Sequence, residues 1–347
     1  SKSVADKYKL GSIKKVSPYL VYKNGGYIVK YKILDIGDEG IADLSLEILI
    51  DQDDKIITNI MEELNDLFYD ISSFHIDEKI IVSKTLQNKI LNEYYKLTKQ
   101  DKRAYKTFVG PQPSTLKLEN LYKENPINIL ENYLVTEKAD GDRYLLYVNK
   151  EKNLYLYNKK NDIIDTGLYI PKIKGEWLVD GEYIKKDKMN NSIRLFMIFD
   201  VYYCESSISQ KAYSHPFISN DKLSRFEILE TFKNYLSTVE IRSDYINEDN
   251  RIVIDFKSYE KGFINNGEKI KDSIKNKLLK DIFLQSSKIW NKQHSYPYSI
   301  DGLIYLPANL PVKADLDGKV VDKISGTWNL NFKWKPPEEN TIDFHVS

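Results

Sequence analysis

From residue 133 to residue 203 the chain runs through one short β-prone stretch after another, with no helix-length periodic segment between them. The stretches are "YLVTEK", "RYLLYVN", "LYLYNK", "EWLVDGEYI" and "IRLFMIFDVYY". Parallel neighbours need a crossover of a dozen or more residues, usually a helix, so strands spaced this closely predict antiparallel sheets. "SIDGLIYLP" and "TWNLNFKWK" repeat the pattern near the end of the chain, and two helical stretches, "DKLSRFEILETFKNYLS" and "SIKNKLLKDIFLQSSKIW", interrupt it. Strands in series with grouped helices predict an α+β fold; no βαβ rhythm is visible, which argues against a doubly wound sheet.

The first hundred residues read differently. "GGYIVKYKILDI" and "GIADLSLEILID" alternate apolar and polar residues between glycine-rich breaks, which predicts two strands. In "TNIMEELNDLFYDIS" the residues Ile60, Leu64, Leu67, Phe68 and Ile71 share one helical face, with Thr58 or Asn59 as cap. In "SKTLQNKILNEYYKLT" Leu86, Ile90, Tyr94 and Leu97 do the same. Pro111 and Pro113 in "VGPQPSTLK" predict a linker or an ordered loop. A length of 347 residues suggests about two domains. The boundary is placed near residue 105, with a β-then-α segment over 1–105 and a larger domain over 106–347.

Several function classes drop out. Lys+Arg and Asp+Glu both number 51, so any phosphate-binding surface must be local. Cys204 is the single cysteine, which excludes a disulfide framework or a thiolate metal cluster and fits a reducing compartment. No apolar run reaches the roughly 18 residues of a membrane span, so no membrane partner is expected. "GFINNGEK" spaces Gly262 and Gly267 as in a phosphate-binding loop, but Glu268 stands where that loop needs lysine. His75, His215, His294 and His345 are scattered without ligand spacing.

What remains is a set of charged groups at the ends of apolar strands. "LVTEKADGDRYLLYV" crowds Lys138, Asp140, Gly141, Asp142 and Arg143 into the join between two strands. Asp-Gly is a common turn pair, because glycine accepts the positive φ of a tight hairpin. "WLVDGEYI" sets Asp180, Gly181 and Glu182 inside an apolar run, "LFMIFDVYY" carries Phe199-Asp200, and "YSIDGLIYLP" carries Asp301-Gly302. "NFKWKPP" alternates Lys333, Trp334 and Lys335, which puts both lysines on one face and the tryptophan on the other. Each alone reads as a turn, a strand end or a solvated edge. Together they deliver both signs of charge to a cleft between sheets, a setting for a metal-complexed polyphosphate.

Lys138-Ala-Asp-Gly-Asp-Arg143 resembles the Lys-x-Asp-Gly-x-Arg nucleophile motif of the covalent nucleotidyltransferases, which include mRNA capping guanylyltransferases and ATP- and NAD-dependent polynucleotide ligases. Asp180-Gly-Glu182, Phe199-Asp200, Asp301-Gly-Leu-Ile304 and Lys333-Trp-Lys335 resemble the later motifs of that superfamily, in its order. "FKWKPPEENTIDF" and "VGPQPSTL" are similar to the capping branch, and the likeness covers roughly residues 108 to 344. It implies a ligase-like nucleotidyltransferase fold, with antiparallel sheets around a nucleotide cleft.

The resemblance implies roles. Lys138 would attack the α-phosphate of GTP to give a lysyl-GMP adduct, which a 5′-diphosphate RNA end then takes up to form the cap. A protonated lysine is a poor nucleophile, and nearby cations such as Lys333, Lys335 and a divalent metal (Mg2+ or Mn2+) would favour the free amine. Asp140 and Gly141 would let the backbone approach the nucleotide, Arg143 would face the ribose, Glu182 the ribose or metal, and Phe199 would stack on guanine. Asp301 would lie near metal and phosphates, with Asp343 as a further candidate. Lys333 and Lys335 would hold the α-phosphate. The family usually has a phosphate-contacting arginine after the second strand. Here "YNKKND" offers Lys159 or Lys160, a point charge in place of a bidentate fork.

"YIVKYKILDI" and "ADLSLEILID" resemble the final strands of a tunnel-type metal-dependent RNA triphosphatase. Lys30 and Lys32 fit its basic alternation; Glu47 fits its acidic one, and Ser45 departs from it. Triphosphatase followed by guanylyltransferase is similar to the multifunctional capping enzymes of large cytoplasmic DNA viruses, of the poxvirus and African swine fever virus type. That order implies further capping domains in the parent chain, a closing OB-fold domain absent from this chain, and a location in the cytoplasm of an infected cell or in the virion. The rival readings are an ATP-dependent polynucleotide ligase and a non-catalytic RNA-binding module on the same fold.

Overall fold

In the computed structural model the described residues are 107–205, 210–242, 251–259 and 282–339, the helix and turn over 84–100, the positions 82, 246 and 248, and the backbone of four strands below residue 50. The chain divides into two compact units, Ser1–Asn88 and Lys89–Ser347.

The first unit contains β1 (Ile13–Val16), β2 (Tyr19–Asn24), β3 (Tyr27–Ile36) and β4 (Glu39–Ile48), an antiparallel meander in that order. Lys30 pairs with Ser45, Lys32 with Asp43, and Ile28 with Glu47. The helix expected over "TNIMEELNDLFYDIS" lies outside the described residues. Helix α1 (Lys84–Leu97) follows the periodicity read above, with Ile90, Tyr94 and the adjoining Thr98 buried.

Among the described residues the second unit builds two sheets. The larger has seven strands: β7 (Asp142–Val148), β8 (Asn153–Tyr157), β9 (Ile163–Tyr169), β10 (Trp177–Lys186), β11 (Ser192–Cys204), β12 (Glu240–Ile241) and β13 (Val253–Phe256), in the order β12-β9-β8-β7-β10-β11-β13. The smaller has β5 (Pro111–Thr115), β6 (Tyr133–Ala139), β14 (Ile300–Pro307) and β15 (Gly326–Trp334), in the order β5-β15-β14-β6. Helix α2 (Arg225–Leu236) opens on a capping box, with the Glu227 amide donating to Ser224 Oγ and the Ser224 amide to Glu227 Oε2. It packs Ile228, Leu229 and Phe232 into the core of the larger sheet, where Phe232 meets Trp177. Helix α3 (Ile282–Asn291) packs Ile282 and Ile289 against Val135, Leu303, Tyr305 and Phe332 on the back of the smaller sheet. Only this end of the predicted helix over "SIKNKLLKDIFLQSSKIW" lies within the described residues.

The expected α+β mixture is present, with three corrections. The sheets are mixed, because β5 runs parallel to β15 and β13 parallel to β11. Both parallel strands are edge strands joined to their partners by long stretches of chain, and a long connection permits either direction. "VGPQPSTLK" is no simple loop: it supplies β5, whose prolines are tolerated because one begins the strand and the strand lies at an edge. The Asp-Gly join is also not a hairpin. β6 and β7 belong to different sheets, so Asp140 and Gly141 carry the chain from one to the other. Gly141 keeps an ordinary φ; it is needed for space, since a Cβ there would meet the Tyr183 carbonyl at 2.8 Å and Glu182 Cγ at 2.9 Å.

Candidate active site

The two sheets share one core at their closed end, where Leu134 and Leu306 of the smaller sheet join the larger sheet's apolar residues. They part at the other end around a cavity of about 220 Å³ lined by Lys138, Arg143, Glu182, Phe199, Lys257 and Lys333, among others. The register of the smaller sheet orders its floor. Lys138 on β6 pairs with Gly302 on β14, Thr136 with Ile304, and Leu134 with Leu306. On β15, Lys333 pairs with Ile304 and Phe332 with Tyr305. Lys335 therefore continues the first row, Lys333 the second, and Asn331 the third. The rows run from charged, through mixed, to one in which Asn331 is the polar member beside Leu134 and Leu306.

Lys138 Nζ is held by both carboxylate oxygens of Asp301, at 2.7 and 2.8 Å, and Lys335 Nζ reaches the same carboxylate at 2.6 Å. Burial pushes Asp301 up, but the hydrogen bonds from the two lysines outweigh it and hold the carboxyl below its usual range. Gly302 beside it has φ +156°, and a Cβ there would lie 2.0 Å from the Trp334 carbonyl oxygen, so only glycine lets β14 and β15 close at this point. Trp334 is half-buried on the opposite face, edge-on to Trp290.

The larger sheet forms the facing wall. Arg143 donates from Nε to Asp180 Oδ1 at 3.0 Å, from Nη2 to Asp180 Oδ2 and to the Tyr202 hydroxyl, and from Nη1 to the Pro111 carbonyl at 2.7 Å. Asp180 is fully buried. The fork is thus largely occupied by the protein, and Arg143 ties β5 to the larger sheet while one edge of it lines the cleft. Gly110, at φ +114°, makes room: a Cβ would meet Arg143 Nη2 at 2.7 Å. Asp200 is likewise committed to Arg225, at 2.7 and 3.2 Å. Phe199 presents its ring to the cleft between two cations, Lys257 Nζ at 5.4 Å and the Arg143 guanidinium at 5.7 Å from the ring centre. Glu182 lines the cavity, and burial pushes its carboxyl up to about 7 against the pull of Lys257, Lys138 and Arg143.

Lys159 is exposed on the turn after β8. Partial desolvation and the charges of Arg143 and Lys333 hold it below the usual lysine range. Lys160 is exposed on that turn, and Asp140 is exposed at the crossover. Asp343 lies outside the described residues. The fold thus brings Lys138, Arg143, Glu182, Phe199, Asp301, Lys333 and Lys335 together from six strands. It adds two residues that sequence reasoning missed. Lys257, just past β13, donates to the Glu137 carbonyl at 3.1 Å, and no local pattern marks it. Asn331 could have been found from its position two before Lys333, on the same face.

Two facing sheets thus enclose a cleft that carries lysines on its floor and Glu182 on the opposite wall, a setting for an anionic ligand. The family described as mRNA capping enzyme, catalytic domain, matches residues 76–337, and the chain belongs to it. A probable mRNA-capping enzyme of Acanthamoeba polyphaga mimivirus is 29% identical over 344 residues, which covers 88% of this chain and 26% of the relative. An mRNA-capping enzyme of Caenorhabditis elegans is 28% identical over 75% of this chain and 35% of its own length. The mRNA-capping enzyme subunit alpha of Candida glabrata is 25% identical over 70% and 49%. The chain spans between about a quarter and a half of the length of these relatives. No described helix is long and apolar enough to cross a membrane.

Proposed function

We propose that this chain is a guanylyltransferase that moves GMP from GTP onto the 5′-diphosphate end of RNA through a covalent adduct on Lys138. The observation that carries this is the first floor row of the cleft, where Lys138 and Lys335 share Asp301 opposite Glu182 and Phe199. The triphosphate lies along Lys138, Lys335 and Lys333, with Lys159 at the rim, and the base lies deeper, against Phe199. The free amine of Lys138 attacks the α-phosphorus, a P–N bond forms, and the bond to the β-phosphate oxygen breaks to release pyrophosphate. The proton that Nζ sheds passes to solvent, since Asp301, held below the usual carboxylate range by the two lysines, orients the amine and is a weak base for it. Attack by the RNA 5′-diphosphate then breaks the P–N bond and returns a proton to the lysine.

Among the described residues no three carboxylate, histidine or cysteine side chains gather to cage a metal. Glu182 and Asp200 line the cleft on one wall, with Asp200 committed to Arg225, and Asp301 pairs with Lys138 on the floor side. That donor set suits Mg2+ or Mn2+, which is held by one or two carboxylates together with substrate phosphates. Bound there, the metal would offset phosphate charge and orient the leaving group.

We further assign residues 106–347 as the transferase domain and read the strands below residue 50 as a triphosphatase-like remnant, a reading their basic alternation at Lys30 and Lys32 supports. The parent protein would carry the remaining capping domains, including an OB-fold domain. The mimivirus relative supports a viral parent, and the proposed place of action is the cytoplasm of an infected cell or the virion. The test is incubation with α-labelled GTP or ATP and magnesium, followed by denaturing separation. GTP is expected to label the chain; labelling by ATP alone would make it a ligase, and labelling by neither would make it a non-catalytic module.

A further inference from the structure

Asn331 is nine-tenths buried, lines the cleft, and carries a buried Oδ1 with no hydrogen-bond partner among the described residues. A buried acceptor without a donor is costly, so such an atom in a ligand cleft points to a donor that arrives with the ligand. No hydrogen bond from a described residue fixes the carboxamide either way round, so it can turn to present its oxygen. Asn331 stands one row deeper than Lys333 on the same face, about 7 Å along the strand. The lysine suits phosphate; a neutral amide beside Leu306 suits a neutral base.

The width of the floor sets which edge of the base it meets. The cleft floor runs from β6 through β14 to β15, so its two margins lie about 10 Å apart, two strand spacings. A purine ring pair laid on Ile304 beneath Phe199 spans that width. At the β6 margin stands Lys257, which has only donors and so takes an acceptor edge. In guanine the acceptors O6 and N7 lie on one edge and the exocyclic amino group on another. With the acceptor edge toward Lys257, the amino group points to the β15 margin, where Asn331 is.

We propose that Asn331 is a specificity-determining residue, whose Oδ1 accepts a hydrogen bond from the exocyclic two-amino group of guanine; this rests on the guanylyltransferase reading. A site built to receive a donor rejects an analogue lacking it, because the buried acceptor is then left unpaired.

The test compares GTP with inosine triphosphate, which keeps O6 and N1–H and lacks the amino group. Each is titrated into the full chain without magnesium, so that binding is read before any transfer. GTP is expected to bind about tenfold or more tightly. In Asn331→Leu, which keeps the branching and removes the amide, the ratio is expected to fall to near one. A ratio near one in the unaltered chain overturns the assignment with no variant needed, and so does an unchanged ratio in Asn331→Leu. Adding magnesium and measuring intact mass separates the two claims. A GTP preference without a lysyl adduct sinks the transfer and leaves the base contact standing. An adduct formed equally well from both nucleotides, with equal binding, does the reverse.

Discussion

The Arg143–Asp180 pair sets up a double-mutant cycle. Arg143 places four of its N–H groups on Asp180, Tyr202 and the Pro111 carbonyl, and the Asp180 side chain is 0% exposed against 15% for Arg143. Arg143→Met leaves a buried carboxylate with only the Tyr202 hydroxyl, and Asp180→Leu leaves a largely buried guanidinium with two neutral acceptors. Breaking a buried pair from one side costs about 3–5 kcal/mol, whereas replacing both partners by apolar groups is often near neutral. At roughly 2 °C per kcal/mol for a unit of this size, each single variant is expected to melt about 6–10 °C early. The double variant should lose no more than either single, although simple addition would demand roughly twice that. Calorimetric melting of all four proteins reads the cycle. Additive losses would refute the reasoning and leave Arg143 free for the ribose, as its place in the motif suggests.

Lys138→Ala is expected to abolish the GMP adduct, read by intact mass, with the melting temperature little changed; Lys138→Arg should fail equally, because a guanidinium stays protonated. Lys333→Ala and Lys335→Ala should each lower adduct yield about a hundredfold, the scale of removing a preorganised charge from a reaction centre. Trp334→Ala should act through stability instead, at or below the low end of the roughly 3–5 kcal/mol of a buried tryptophan, since it is only half-buried. Normal adduct yield in the lysine variants, or a stable Trp334→Ala that forms no adduct, would sink that division of labour. Glu182 predicts a pH dependence. Its carboxyl rises from about 4.5 unfolded to about 7 folded, so the folded chain binds more protons between those values. Stability should therefore fall as pH rises through that window, by roughly 3 kcal/mol at 1.36 kcal/mol per pH unit, and level off above it. Glu182→Gln should flatten this slope in metal-free melts, and an unchanged slope would assign it to another group.

By itself the sequence determined the strands and the order of the charged motifs. β6, β7, β8, β10, β11, β14 and β15 were all legible, because apolar runs and period-two alternation are local consequences of burying one or both faces of a sheet. The alternation of Lys333, Trp334 and Lys335 foretold a polar face and a packed face for the same reason. What the sequence could not show is whatever depends on partners far along the chain. β5 looked like a proline loop because its pairing with β15 comes from more than two hundred residues away. β9 was not picked out, since Asp165 and Thr166 interrupt its apolar run, although they are buried and bonded to Arg242 and to the Leu154 carbonyl. The partners of the acids were equally invisible: only the fold gives Asp180 to Arg143, Asp200 to Arg225, and Asp301 to two lysines at once. "KADGDR" read as a hairpin turn and is a crossing between sheets. Local propensity names the residues that can turn, bond or titrate. Which groups they meet is decided by tertiary packing, since charges and hydrogen bonds act over a few ångströms of space and take no account of distance along the chain.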